Sequence, residues 1–134
     1  MNQTKTPNFK YKQLTGKIIG AAMQVHSELG NGFREIVYHR SMEHELSHQG
    51  LNYKSELTMP LYYRDAKVGA RRVDLLVEEK ILVELKAVGE INDQHISQVL
   101  NYLKAYKLEV ALLLNFGENS LNFKRIAKLK NYKN

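Results

Sequence analysis

The sequence predicts an α/β domain in which a mixed β-sheet is flanked by helices. Three observations predict it. Two segments with helical apolar spacing come first, a Tyr- and Leu-rich stretch and a hairpin with strand alternation follow, and a third helical segment precedes one last compact apolar run.

From Leu14 to Leu29, the apolar residues Ile18, Ile19, Ala22, Val25 and Leu29 recur at helical spacing. "LGNG" breaks that pattern, with Gly30 suited to a helix C-cap and Gly32 to a tight entry into the next helix. The second helix is expected from Phe33 to Gln49, stopping at Gly50. "LNYKSELTMPLYY" reads as a strand, and Pro60 within it argues for a sheet edge or a bulge. "RDAKVG" reads as a turn, after which "RRVDLLV" and "ILVELKAV" flank the short loop "EEK" as a β-hairpin. Asn92 or Asp93 can cap a helix running to about Tyr106, with Ile96, Val99, Leu100 and Leu103 apolar. "EVALLLNFG" is expected as a buried strand, and "LNFKRIAKL" as a final strand or a short helix. No linker or repeat divides the 134 residues, so a single domain over 1–134 is expected, with a core of about 14–127 and basic, polar ends.

Composition narrows the chemistry. The absence of cysteine excludes disulfides, thiolate zinc sites, iron–sulfur clusters and cysteine nucleophiles, and it suits a reducing cytoplasm. The opening "MNQTKTPNFKYKQ" lacks the apolar core of a signal peptide, and no apolar run reaches the roughly 18 residues of a membrane span. A cytoplasmic protein with no membrane association is therefore expected. A net charge of +6 with a pI near 9.5 suits either a polyanionic partner or a solvated basic surface. Much of the excess sits near the ends, in Lys5, Lys10, Lys12 and Lys17 and in Lys124, Arg125, Lys128, Lys130 and Lys133, as in solubilising tails.

"HELSH", residues 44 to 48, fits the H-E-x-x-H pattern of zinc proteases. A helical wheel puts Glu35, Tyr38, Met42, Leu46 and Gln49 on one stripe, while His44 and His48 point nearly the opposite way, beside Arg40 and Ser47. A protease site needs a third ligand and a cleft, yet no histidine follows His48 until His95. The pair is expected to face solvent. The same wheel raises a question about Glu35, whose carboxylate must either end the stripe in water or find a buried cationic partner. Lys86 is the partner the hairpin offers.

With "EEK" as a three-residue loop centred on Glu79, positions summing to 158 lie opposite each other, so Asp74 faces Glu84. Strand alternation sends Glu84 and Lys86 to one side and Val83, Leu85 and Ala87 to the other. Two carboxylates about 5 Å apart repel by roughly 3 kcal/mol at an effective dielectric near 20. Such a pair is satisfied either by a cross-strand network in which Lys86 or Arg72 neutralises the acids, or by a hard divalent cation. Mg²⁺ or Mn²⁺ would suit the oxygen ligands, and a backbone carbonyl from the Glu84–Lys86 segment could add one more.

Taken together, "GFREIVY", "RRVDLLV", "ILVELKAV", "QVLNYL" and "LLLNFG" resemble the bacterial GxxExxY protein family, within the PD-(D/E)XK nuclease superfamily. The resemblance spans roughly residues 14 to 127 and rests on several ordered motifs. It implies a restriction-endonuclease-like core. Its naming motif corresponds to Gly32, Glu35 and Tyr38, and the superfamily core to Asp74, Glu84 and Lys86. By resemblance Glu35 is the helix-borne acid that approaches the metal, which addresses the wheel question. Gln98 and Tyr102 look like the QxxxY element that supports the site in RecB-type nucleases. Val73 stands where the superfamily name has proline, but no acid and no lysine of the core is missing.

The resemblance implies metal-dependent phosphodiester hydrolysis, with DNA as the expected nucleic acid. Asp74, Glu84 and Glu35 would hold Mg²⁺ or Mn²⁺, and Lys86 would assist the attacking water. Tyr38, Gln98 and Tyr102 would support them. The small size of the domain points to a homodimer or a partner protein for gripping a duplex. The alternative reading is a nucleic-acid-binding or protein-interaction module that keeps the fold without cutting. A purely structural salt network of the acids and lysine is the third.

Overall fold

Alternation along the strands supplies two apolar faces, and the computed structural model, which describes residues 11–127, covers each with helices. The order is α1 (Lys12–Leu29), α2 (Glu35–His48), β1 (Tyr53–Tyr63), β2 (Ala66–Val77), β3 (Ile81–Lys86), α3 (Asp93–Tyr106), β4 (Val110–Asn115) and β5 (Asn122–Ala127). The strands form one sheet in the order β1-β2-β3-β4-β5. All neighbours run antiparallel except β3 and β4, which are parallel and joined through α3. Leu75, Val77, Ile81, Val83, Leu85, Val110, Leu112 and Leu114 pack against α1 and α2. Leu82, Ala111 and Leu113 pack against Val99, Tyr102 and Leu103 of α3. The predicted mixed sheet with flanking helices is therefore present, in three layers. Among the described residues, no helix is long and apolar enough to cross a membrane.

Three boundaries differ from expectation. The second helix begins at Glu35, not Phe33, because Arg34 is extended at the N-cap with φ −75° and ψ 156°. "RDAKVG" is mostly strand: only Arg64 and Asp65 form the turn, and Ala66 already pairs with Tyr63. Cross-strand pairing overrides the local turn chemistry there. "LNFKRIAKL" resolves as a strand, since β5 pairs with β4 and buries Ile126, where a helix would leave that β4 edge unpaired. Pro60 lies on β1, the edge strand, as its chemistry requires. Of the terminal cations, Lys5, Lys10, Lys128, Lys130 and Lys133 lie outside the described residues.

One irregularity positions the site. Ser55 and Leu57 are two apart and would share a face in a regular strand. Yet Ser55 hydrogen-bonds His39 and Glu43 of α2, whereas Leu57 packs into the α3-side cluster. On the partner strand, Leu75 faces α1 and α2 while Val73 faces α3. Both strands change face between these residues, at Glu56 and Asp74, which the flanking register places opposite each other. Glu56 carries the turn-over in a left-handed conformation, φ 52°.

Candidate active site

The site grows from the fork where β2 leaves β3. The ladder holds through Val77–Ile81, Leu76–Leu82 and Leu75–Val83, the predicted register with positions summing to 158. Beyond it the two acids replace the missing main-chain partners. Glu84 Oε2 accepts the Asp74 N–H at 2.9 Å, and Asp74 Oδ2 accepts the Leu85 N–H at 2.8 Å. Each carboxylate is thus fixed by the opposite strand and keeps a second oxygen that accepts no hydrogen bond from a described residue. The electrostatics are those of a crowded pair. Burial, then Asp74, push the Glu84 carboxyl up to about 8, against the lowering effects of the Asp74 amide and Lys86. Burial also raises Asp74, partly offset by the Leu85 amide, His39 and Lys86.

Lys86 follows on β3. Its main-chain carbonyl accepts the Phe116 N–H at 2.8 Å, and the segment just beyond is clipped by the fully buried Asn115. The Asn115 amide donates to the Val88 carbonyl and accepts the Val88 N–H, both at 3.0 Å. Gly117 lets the two segments touch: a Cβ there would lie 2.3 Å from the Val88 carbonyl oxygen. Lys86 forms no close ion pair with a described residue and acts on Asp74, Glu84 and Glu35 through space. Arg72 instead meets Glu56 at 3.2 Å. Of the two alternatives for the acid pair, a network of close ion pairs with Lys86 or Arg72 is not formed among the described residues.

Glu35 is the first residue of α2 and lines a cleft of about 310 Å³ together with Asp74, Arg34, Ile36, His39, Glu56 and Arg72. It is exposed, so the wheel question resolves toward the stripe ending in water and not toward a buried pair with Lys86. The cleft wall, then Asp74, still raise its carboxyl above the usual range. Tyr38 is fully buried and stacks on Phe116 at 4.7 Å between ring centroids. Its hydroxyl donates to the Gly30 carbonyl at 2.6 Å and accepts the Phe33 N–H at 3.2 Å. Tyr38 thus fastens the loop that leads into Glu35. Gly32 sits in that loop with φ 104°, a conformation that favours glycine.

From α3, Tyr102 is buried near Glu84, and burial, then that acid, raise its phenol. Gln98 is half-buried one turn earlier, and its amide hydrogen-bonds no described residue. His95 belongs to the helix cap, exchanging hydrogen bonds with Asn92. His44 and His48 are exposed, as expected.

Sequence reasoning missed Glu56, Arg34 and His39. Glu56 raises Asp74 further through its charge. His39 is buried on α2, with Nε2 2.7 Å from Ser55 Oγ and 3.3 Å from Glu43 Oε2. A histidine within an apolar stripe was the available signal for His39; nothing local signals the left-handed turn at Glu56. A larger groove, about 640 Å³, lies beside the β4–β5 loop. Its one titratable side chain, Glu118, is already bonded to Asn115 and Asn122, so the chemistry favours the smaller cleft. Among the described residues, no three His, Asp or Glu side chains are gathered tightly enough to ligate one ion.

A mixed sheet between helices, with an acid pair at the fork of its second and third strands, defines a nuclease-like class of α/β domain. The chain belongs to the PD-(D/E)XK nuclease superfamily, whose sequence profile matches residues 12–126. It is similar in fold to the crystal structure of a protein called SSO0001, with a TM-score of 0.57 and 16% identity, over 93% of this chain and 64% of that one. This chain therefore spans less than two thirds of that relative's length. No protein of curated function matches the sequence.

Proposed function

We propose that this protein is a metal-dependent nuclease of the GxxExxY kind that hydrolyses phosphodiester bonds in nucleic acid, with DNA as its substrate. The observation that carries the reading is the acid pair at the fork, held by reciprocal main-chain hydrogen bonds with an oxygen of each carboxylate left over. The donor set fits a hard divalent cation: it is all oxygen, partly buried and mutually repelling, so a cation would relieve a cost the fold carries without one.

Asp74 and Glu84 would hold Mg²⁺ or Mn²⁺, with Glu35 contributing from the mouth of the cleft. In a strand the N–H and C=O of one residue share an edge, and the Leu85 N–H points to Asp74, so its carbonyl would be the added main-chain ligand. When bound, such a cation supplies charge neutralisation at the phosphodiester and acidifies water. Lys86 orients the attacking water and steadies developing negative charge, consistent with an ammonium not engaged in a close ion pair. Tyr38 holds the entry to Glu35, while Tyr102 and Gln98 back the acids from α3. A homodimer or a partner protein would extend the grip on a duplex, and a chain without cysteine suits the cytoplasm.

The test is cleavage of single- and double-stranded DNA, branched DNA and RNA with Mg²⁺ or Mn²⁺, with Asp74→Ala and Lys86→Ala prepared identically. Metal-dependent cutting by the parent, absent from both folded variants, is the expected result and names the substrate. Equal cutting by all three proteins would be a contaminant's, and no cutting at all would leave a nucleic-acid-binding or protein-interaction module built on the nuclease fold.

A further inference from the structure

Beyond the fork, β1 and β2 leave the sheet together. Strand β2 pairs with β3 only through Leu75, Leu76 and Val77, so Ala66–Asp74 has β1 as its sole strand partner. Nine residues at about 3.3 Å each make an arm roughly 30 Å long. One of its faces, with Leu57, Met59 and Leu61, is half-buried, and the Tyr106 hydroxyl of α3 donates to the Met59 carbonyl at 3.1 Å. The opposite face is exposed through Thr58, Pro60 and Tyr62, with Arg72 paired to Thr58 and Ala70 to Pro60. Arg72 also lines the cleft, so this face is continuous with it.

The tip is unusual for a surface without a partner. Tyr62 is 62% and Tyr63 65% exposed, and Val68 stands out beside them at the register shift that follows Leu61. Arg64 lies over the Tyr63 ring, 5.6 Å from its centroid. Between residues 62 and 72 the arm carries Arg64, Lys67, Arg71 and Arg72 against a single acid, Asp65. Exposed aromatic faces among cations are what unpaired bases and their phosphates require: stacking tolerates any base, and the cations follow the backbone. A second copy of the same patch would set these cations against each other. A duplex keeps its bases stacked internally and offers the rings no free face.

We propose that the outer part of the β1–β2 arm is a stacking platform for a single strand of nucleic acid running out of the cleft, with Tyr62, on the face continuous with the cleft, taking one base, Tyr63, beside the turn on the other face, taking a base where the strand rounds the tip, and Arg64, Lys67 and Arg72 the phosphates. The proposal rests on the nuclease reading for the identity of the polymer, and it narrows the substrate to one with an unpaired strand. The test separates the two. Binding of a fluorescein-labelled single strand and of a blunt duplex is measured by anisotropy without divalent metal, for the parent protein, Tyr62→Ala/Tyr63→Ala and Tyr62→Phe/Tyr63→Phe. Folding is checked by circular dichroism and mass in solution by light scattering.

The expected result is tighter binding of the single strand by the parent, a loss of at least about tenfold in the alanine pair, and retention in the phenylalanine pair. This result stands whether or not the protein cuts, since binding is read without divalent metal. Unchanged binding by the alanine pair would overturn the proposal, as would equal losses on duplex and single strand, or no binding by the parent. A change of oligomeric state with unaltered affinity would also overturn it, by assigning the tip to a second copy of the chain.

Discussion

Removing one charge from the Asp74–Glu84 pair should stabilise the cation-free protein, by an amount that grows with pH. Glu84 titrates at about 8 in place of 4.5 because it is buried and faces Asp74. Between those values the folded protein holds a proton that the unfolded chain has released, so raising the pH across this window costs stability. The contribution is most favourable below 4.5 and is lost as the pH climbs to about 8. Asp74 and Glu35 are raised too and act in the same direction. The whole displacement of Glu84 corresponds to roughly 5 kcal/mol at about 1.36 kcal/mol per pH unit, with burial the larger cause and repulsion by Asp74 the second. Glu84→Gln keeps the shape and an acceptor for the Asp74 amide but has no such proton to lose. Urea unfolding followed by circular dichroism in EDTA, at about pH 5.5 and about pH 8.5, measures both proteins. The advantage of Glu84→Gln should widen by about 3 kcal/mol between the two conditions. In the parent, Mg²⁺ or Mn²⁺ should flatten the decline, since a cation takes over the role of the proton. An advantage that stays constant or narrows with pH would refute the account of the fork as a repelling, proton-sharing pair.

Gly117→Ala should cost at least about 3 kcal/mol, because the new Cβ meets the Val88 main chain and not a side chain that can swing away; urea unfolding measures it. Tyr38→Phe removes a buried hydroxyl with two partners and should cost about 1–3 kcal/mol. Faster amide exchange at Phe33 would mark the loosened entry to α2. Glu56→Gly should stabilise by about 1 kcal/mol, since glycine adopts a left-handed conformation freely and the exposed ion pair with Arg72 contributes little. A melting temperature that fell instead would show that the Glu56 side chain, not its backbone, matters at this position.

Much of the site could be read from the residues because it lies on one hairpin. A three-residue loop fixes the pairing, alternation fixes the faces, and so Asp74 opposite Glu84 follows from counting. The same locality made α3 legible, with Asn92 at its cap and Val99 and Leu103 on its buried face. Glu35 was placed on the correct helix but given a buried partner, because a wheel shows direction around an axis and not depth below a surface. The turn at "RDAKVG" was overextended for a related reason: residues that favour turns still enter a strand when a neighbour offers a ladder.

The sequence by itself determined the elements up to β4, their order, the hairpin register and the acids that meet across it, since each depends on spacing along a few consecutive residues; pairing with β4 decided that the last segment is a strand. Only the tertiary structure decided that Glu56 turns the arm over opposite Asp74, and that Arg72 goes to Glu56 in place of the acid pair. It alone brought His39, Arg34 and Glu35 into the same cleft and left Tyr62 and Tyr63 uncovered at the tip. Those outcomes depend on which surfaces meet once helices and sheet have packed, and contacts between residues far apart in the chain leave no periodic trace within it.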